Sequence, residues 1–168
     1  MRPTRLLLLT AAALSAVELI RHWAQTPELM ASHFGASGRP DAYLPRSGFF
    51  SVQAAATVLV CVLGGGIGSL VARVPTRYVN LPHKALWLAP ERRVHTLARL
   101  SAFFETFGTA TLLLVLLAFE LALAANRRPD RQFDVATFWP ALLIYLGFVM
   151  GWVGSLLRAF SRPPGQDG

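Results

Sequence analysis

Apolar residues are gathered into four long runs along this chain, with short polar stretches between them. The runs are Leu6 to Ala24, Phe49 to Ala72, Leu97 to Ala125 and Val135 to Leu157. About twenty helical residues cross the hydrocarbon core of a bilayer, so the last three are long enough with residues to spare. The first is broken by Glu18, Arg21 and His22. Its clean part, Leu6 to Val17, reaches only about 18 Å at 1.5 Å per residue. Two readings stay open for it. Arg2 and Arg5 before "LLLLTAAALSA", with small residues near Ala13 and Ser15, resemble a secretory signal peptide. The apolar pattern resumes at Leu19, Ile20, Trp23 and Ala24, which favours a retained span. Glu18 stands one helical turn before Arg21 and His22, where it can pair with both.

The predicted fold is therefore all-α. It is a single-domain integral membrane protein over residues 1–168, a bundle of four transmembrane helices with spans at about 5–24, 49–72, 97–125 and 135–158. Local residues support these limits. Asp134 can cap the fourth helix by accepting from its free N–H groups, and Pro140, one turn in, can kink it. Pro90 and Glu91 suit a helix start, with proline first and an acid in the first turn. From there Val94, Leu97, Ala98 and Ser101 fall on one face, away from Arg92, Arg93 and Arg99. Residues 90–100 are thus expected to form an interfacial amphipathic segment before the third span.

Composition agrees with the pattern. Of 168 residues, 54% are hydrophobic and 15% charged, whereas soluble domains carry about 25% charged residues. The net charge of +7 would suit nucleic acid, but the cations sit at the edges of apolar runs, where they anchor helix ends to headgroups. Placing the N-terminus inside leaves ten cations inside, including Arg73, Arg77, Lys84 and Arg162, against six outside. That bias favours both termini in the cytoplasm; the preference for Arg over Lys, with abundant Ala, Gly and Pro, suits a GC-rich bacterial genome and so a bacterial cytoplasmic (inner) membrane. The lone Cys61 lies within an apolar run and allows no internal disulfide.

The glycines of "CVLGGGIGSL" have no following lysine and open no βαβ unit, which excludes a phosphate-binding loop. Gly64, Gly68 and Ala72 instead recur every fourth residue, as do Gly147, Gly151 and Ser155. Such small-residue stripes let helices approach closely. They would bring spans two and four together or, alternatively, form a homodimer face. Glu105 and Glu120 interrupt the third span, and an ionisable group there is costly unless paired. Glu120 lies near the outer end, within reach of headgroups. Glu105 shares a face with Ser101 and Thr109, and either pairs with a neighbouring helix or carries protons. His22, His33, His83 and His95 include no pair with zinc-site spacing, so no metal site and no cofactor is expected. No nucleophile elbow, HExxH or carboxylate pair marks an enzyme.

Two segments carry a family resemblance. In "PELMASHFGASGRPDAY", Pro27 is followed six residues later by His33 and Phe34, then by Gly38, Pro40 and Asp41. This resembles the hairpin of a bacterial membrane-protein domain of unknown function, found at the N-terminus of SdpI-type proteins, which confer immunity to a sporulation-delaying toxin. Ala31 and Ser32 stand where that family often has Pro-Thr, and Tyr43 where it often has Trp. The second segment, "NLPHKALWLAPERR", holds Asn80, Pro82, Trp87, Pro90, Glu91 and Arg92 and is similar to a motif in shorter relatives. The resemblance implies a non-enzymatic sensor or immunity-type protein that binds a peptide or protein ligand through His33, Phe34, Gly38, Pro40, Asp41 and Tyr43. The alternative from the residues alone is a small proton-linked transporter using Glu105, with Glu18 as a second intramembrane acid. The hairpin itself is either a binding site or a connector folded over the bundle.

Overall fold

The computed structural model describes residues 1–161; Arg162, counted above among the inner cations, lies outside them. The elements run α1 (Pro3–Trp23), β1 (Leu29–Phe34), β2 (Pro40–Pro45), α2 (Arg46–Arg73), α3 (Lys84–Trp87), α4 (Pro90–Asn126) and α5 (Val135–Ser161). The four long helices, α1, α2, α4 and α5, are each long and apolar enough to cross a membrane. They are the four predicted spans of a multi-pass membrane protein. The short β1–β2 sheet is the only one among the described residues.

α4 is the central element, with α1, α2 and α5 packed on it and α1 also against α2. Arg2 meets Glu105 and His22 meets Glu120, so α1 and α4 run in the same direction. Helices in lipid gain little from apolar burial and associate by close packing and hydrogen bonds. Both are visible here. A Cβ on Gly64 would lie 3.2 Å from Gly108 Cα, and one on Gly68 would lie 1.8 Å from Ser101 Oγ. Only glycine allows α2 and α4 to approach so closely. Hydroxyls inside the helices donate to the preceding turn, as Ser101 does to the Leu97 carbonyl at 2.8 Å and Thr109 to that of Glu105 at 2.8 Å.

The glycine stripes therefore act differently from expectation. Gly64 and Gly68 face α4, the third span, and α4 covers the face considered for dimerisation. Gly147 and Gly151 on α5 have open space beside them. The reason is that α5 docks on α4 through aromatic side chains instead. Trp152 Nε1 donates to the Phe103 carbonyl at 2.8 Å, and its ring lies 4.9 Å from that of Phe107. The Tyr145 hydroxyl meets Thr111 Oγ1 at 2.8 Å.

Residues 90–100 are continuous with the third span, and their buried face differs from the predicted one. Val94 is 81% exposed, whereas Thr96, Leu100 and Ser101 are buried. Thr96 Oγ1 donates to the Trp87 carbonyl at 2.7 Å, and Trp87 and Leu100 cluster with Phe160. The α3 turn thus selects the face, which period alone left open. Asp134 caps α5 as expected. Its carboxylate accepts from the Thr137 N–H at 3.1 Å and the Thr137 hydroxyl at 2.7 Å.

Candidate functional site

The polar stretch after α1 becomes an antiparallel hairpin. Leu29 pairs with Pro45, Ala31 with Tyr43, His33 with Ala42 and Phe34 with Pro40. Two register shifts follow from this pairing. Ser32 is an extra residue on β1 and Asp41 an extra residue on β2, and such bulges re-aim side chains. His33 and Asp41 consequently meet, with Nδ1 2.5 Å from Oδ1 and both side chains mostly exposed, at 71% and 52%.

The turn is tied down at Gly38. Its φ of +82° suits glycine, and a Cβ there would lie 2.6 Å from the Phe133 carbonyl oxygen. The Gly38 carbonyl accepts from the Phe133 N–H at 2.9 Å, and Gln132 Nε2 donates to the Ser37 carbonyl at 2.5 Å. Arg131 lies over the Tyr43 ring at 5.5 Å. The hairpin therefore folds back onto the connector between α4 and α5. Beneath it lies a groove of about 490 Å³, with His33 and Phe34 on one side and Ala118, Phe133, Phe138 and Trp139 on the other. The Phe34 and Phe133 rings stand 4.9 Å apart.

Asn126 anchors β1 from below. Its Oδ1 accepts from the Ala31 N–H at 2.7 Å, and its Nδ2 donates to the carbonyls of Ala31 and Ala122, each at 2.9 Å. Sequence reasoning missed this residue, although it is the first polar side chain after the apolar run of α4. It also missed the groove wall from residues 133–139, because spacing along the chain does not show which connector folds under a hairpin.

Glu105 is fully buried, and both its carboxylate oxygens have partners. Arg2 Nη2 lies 2.7 Å from Oε1, and Thr4 Oγ1 donates to Oε2 at 2.6 Å. At the hairpin end of α1, Glu18 pairs with Arg21 at 2.5 Å and with His22 Nε2 at 3.1 Å. Arg127 Nη2 lies 2.6 Å from His22 Nδ1. Glu18, His22 and Glu120 bring their ligand-type atoms within 4.8 Å of one another, a gathering the sequence did not foreshadow. Guanidiniums, which can only donate, stand at both ring nitrogens, that of Arg127 at Nδ1 and that of Arg21 at Nε2, 3.1 Å away. Two guanidiniums balance two carboxylates there. The contacts of His22 with Arg127 and Glu120 join α1 to α4 at this end.

The second motif lies elsewhere. Asn80 and Pro82 are in the connector before α3, and Trp87 Nε1 donates to the Phe160 carbonyl at 3.3 Å. Pro90 begins α4, and Glu91 and Arg92 are exposed in its first turn. Asn126, at the far end of the 37-residue α4, supports the hairpin, about 55 Å away at 1.5 Å per residue. The two motifs therefore do not form one site. No family model matches the chain, and no curated protein or solved structure shows significant similarity to it.

Proposed function

We propose that this chain is a non-enzymatic multi-pass protein of the bacterial inner membrane. It recognises a peptide or protein ligand at an extracytoplasmic hairpin, as a sensor or an immunity protein of the SdpI type does. Both termini are cytoplasmic in this reading, in keeping with the excess of cations at their end. The observation that carries the proposal is the groove under the hairpin. It offers aromatic walls from Phe34, Phe133, Phe138 and Trp139, with the His33–Asp41 pair at its rim. Aromatic anchors beside a few oriented polar groups are the usual make-up of a binding site. A proton-linked permease using Glu105 has less support, since Arg2 and Thr4 already hold that carboxylate.

The test is survival of toxin-sensitive bacteria producing the chain, challenged with membrane-active peptide toxins. Protection by the wild type is expected, with loss in Phe34→Ala, Asp41→Ala and Trp139→Ala variants that reach the same membrane level. Protection unchanged in all three, or none from the wild type, would contradict the proposal.

A further inference from the structure

Along α4, Arg99, Phe103 and Thr106 recur at intervals of four and three residues. Phe148, Gly151 and Trp152 are spaced in the same way along α5. Each set therefore lies on one face of its helix, and the two faces line a groove of about 530 Å³, separate from the one under the hairpin. Phe103, Phe148 and Trp152 give it apolar walls, and the Trp152 ring is fixed by its bond to the Phe103 carbonyl. Gly151 leaves room inside, since nothing lies within 4 Å of where its Cβ would stand. Thr106 and Gly151 are exposed, so the groove opens sideways along two helices long and apolar enough to cross a membrane. A flexible apolar chain can enter it from the bilayer.

Arg99 is the one charged side chain among the described residues that line it. Its guanidinium lies 5.6 Å from the Phe160 ring centroid, which steadies it at one end of the groove. Among the described residues no carboxylate lies within ion-pairing distance of it. Glu91 stands more than two helical turns before it on α4, and Glu105 is held by Arg2 and Thr4. The hydroxyls in the groove donate back to their own helices, Thr106 to the Ala102 carbonyl at 2.9 Å and Ser155 to that of Gly151 at 2.8 Å. Arg99 is thus a cation without a carboxylate partner at the end of an apolar slot.

The depth of the groove matches the layers of a bilayer. With the bilayer centre midway between Glu105 and Glu120, Arg99 stands about 20 Å from it along α4 and Thr106 about 10 Å. The hydrocarbon edge is about 15 Å from the centre. Arg99 is therefore level with the headgroups and Thr106 with the acyl chains.

We infer that this groove binds an anionic phospholipid, with its phosphate against Arg99 and the upper part of one acyl chain over Gly151. Basic pockets between membrane helices hold such headgroups. The inference rests on the chain being embedded in a bilayer and is independent of the hairpin ligand.

The full chain, purified in a nonionic detergent, would be titrated with phosphatidylglycerol, with phosphatidylcholine of the same acyl chains, and with glycerol 3-phosphate. The thermal unfolding midpoint is the readout. Phosphatidylglycerol should act at a concentration roughly fivefold lower than phosphatidylcholine, and glycerol 3-phosphate should have no effect. Arg99→Gln should erase the preference between the two lipids. Arg77→Gln, on the α2–α4 connector and outside the groove, should keep it. Gly151→Leu, which fills the slot without altering charge, should weaken the response to phosphatidylglycerol. Equal responses to the two lipids in the wild type would overturn the inference. So would a preference that survives Arg99→Gln, or one lost equally in Arg77→Gln, which would mean diffuse charge. An equal response to glycerol 3-phosphate would mean an anion site without a chain. A midpoint that rises with protein concentration and ignores lipid would mean a second copy in the groove, and would overturn it too.

Discussion

Arg2 and Thr4 occupy both carboxylate oxygens of Glu105, at the point where α1 begins. The pair fixes the height of α1 against α4, because no other acid on α4 lies nearby at that end. Glutamine there keeps one acceptor oxygen and turns the other into an amide NH2, so one of Arg2 and Thr4 loses its acceptor and the other keeps only a neutral one. Hydrogen bonds to charged groups contribute about 1.5–3 kcal/mol, and Arg2, being partly exposed, can recover some of that from water. Glu105→Gln is therefore expected to destabilise the protein by about 1.5–3 kcal/mol in unfolding by SDS from mixed micelles. The sequence showed that Glu105 needed a partner, but not which one. Arg2 lies more than a hundred residues away, and no periodicity links the two positions. Asn126 was hidden for a similar reason. A polar residue at the end of an apolar run reads as a boundary, and its grip on both backbone groups of Ala31 depends on where the hairpin returns.

For the elements, length and apolar pattern were enough to place all four spans and the proline start of α4, since those features are local. The partners of each helix were not legible. Small residues every fourth position announce a close approach and do not say to what. The stripe on α2 meets Gly108 on α4, and α5 relies on Trp152 and Tyr145. Gly64→Leu should force α2 from α4 at a cost of about 1–3 kcal/mol, the usual range for overpacking, whereas Gly147→Leu should be nearly neutral in the same unfolding measurement. The cap of α5 gives a pH prediction outside the spans. The Thr137 hydroxyl and N–H, bonded to Asp134, hold its carboxyl below the usual aspartate range. A lowered folded pKa means that the cap is fully present above the unfolded value, near 4, and is lost as pH falls through the folded one. Hydrogen-exchange protection at the Thr137 amide should therefore fall on acidification below about pH 4. Asn caps without titrating, so Asp134→Asn should keep protection independent of pH.

For the whole molecule, two ends of opposite character emerge. One carries the hairpin, the aromatic groove and the His22 clamp. The other carries the Arg2–Glu105 clamp, α3 and the α2–α4 connector with Arg77. Glu105 and Glu120 are fifteen residues apart, about 22 Å along α4, somewhat less than the roughly 30 Å hydrocarbon core. The two clamps therefore sit towards the two faces of the bilayer, with an apolar middle between them. This arrangement puts the hairpin and the α2–α4 connector on opposite sides of the membrane. The most direct test is labelling of single cysteines in a Cys61→Ala background with a maleimide that cannot cross the membrane. A cysteine at Ser37, exposed in the hairpin turn, should react in intact cells. One at Arg77 should react only after the membrane is opened. Reaction of both in intact cells, or of Arg77→Cys alone, would contradict a hairpin that faces the outside.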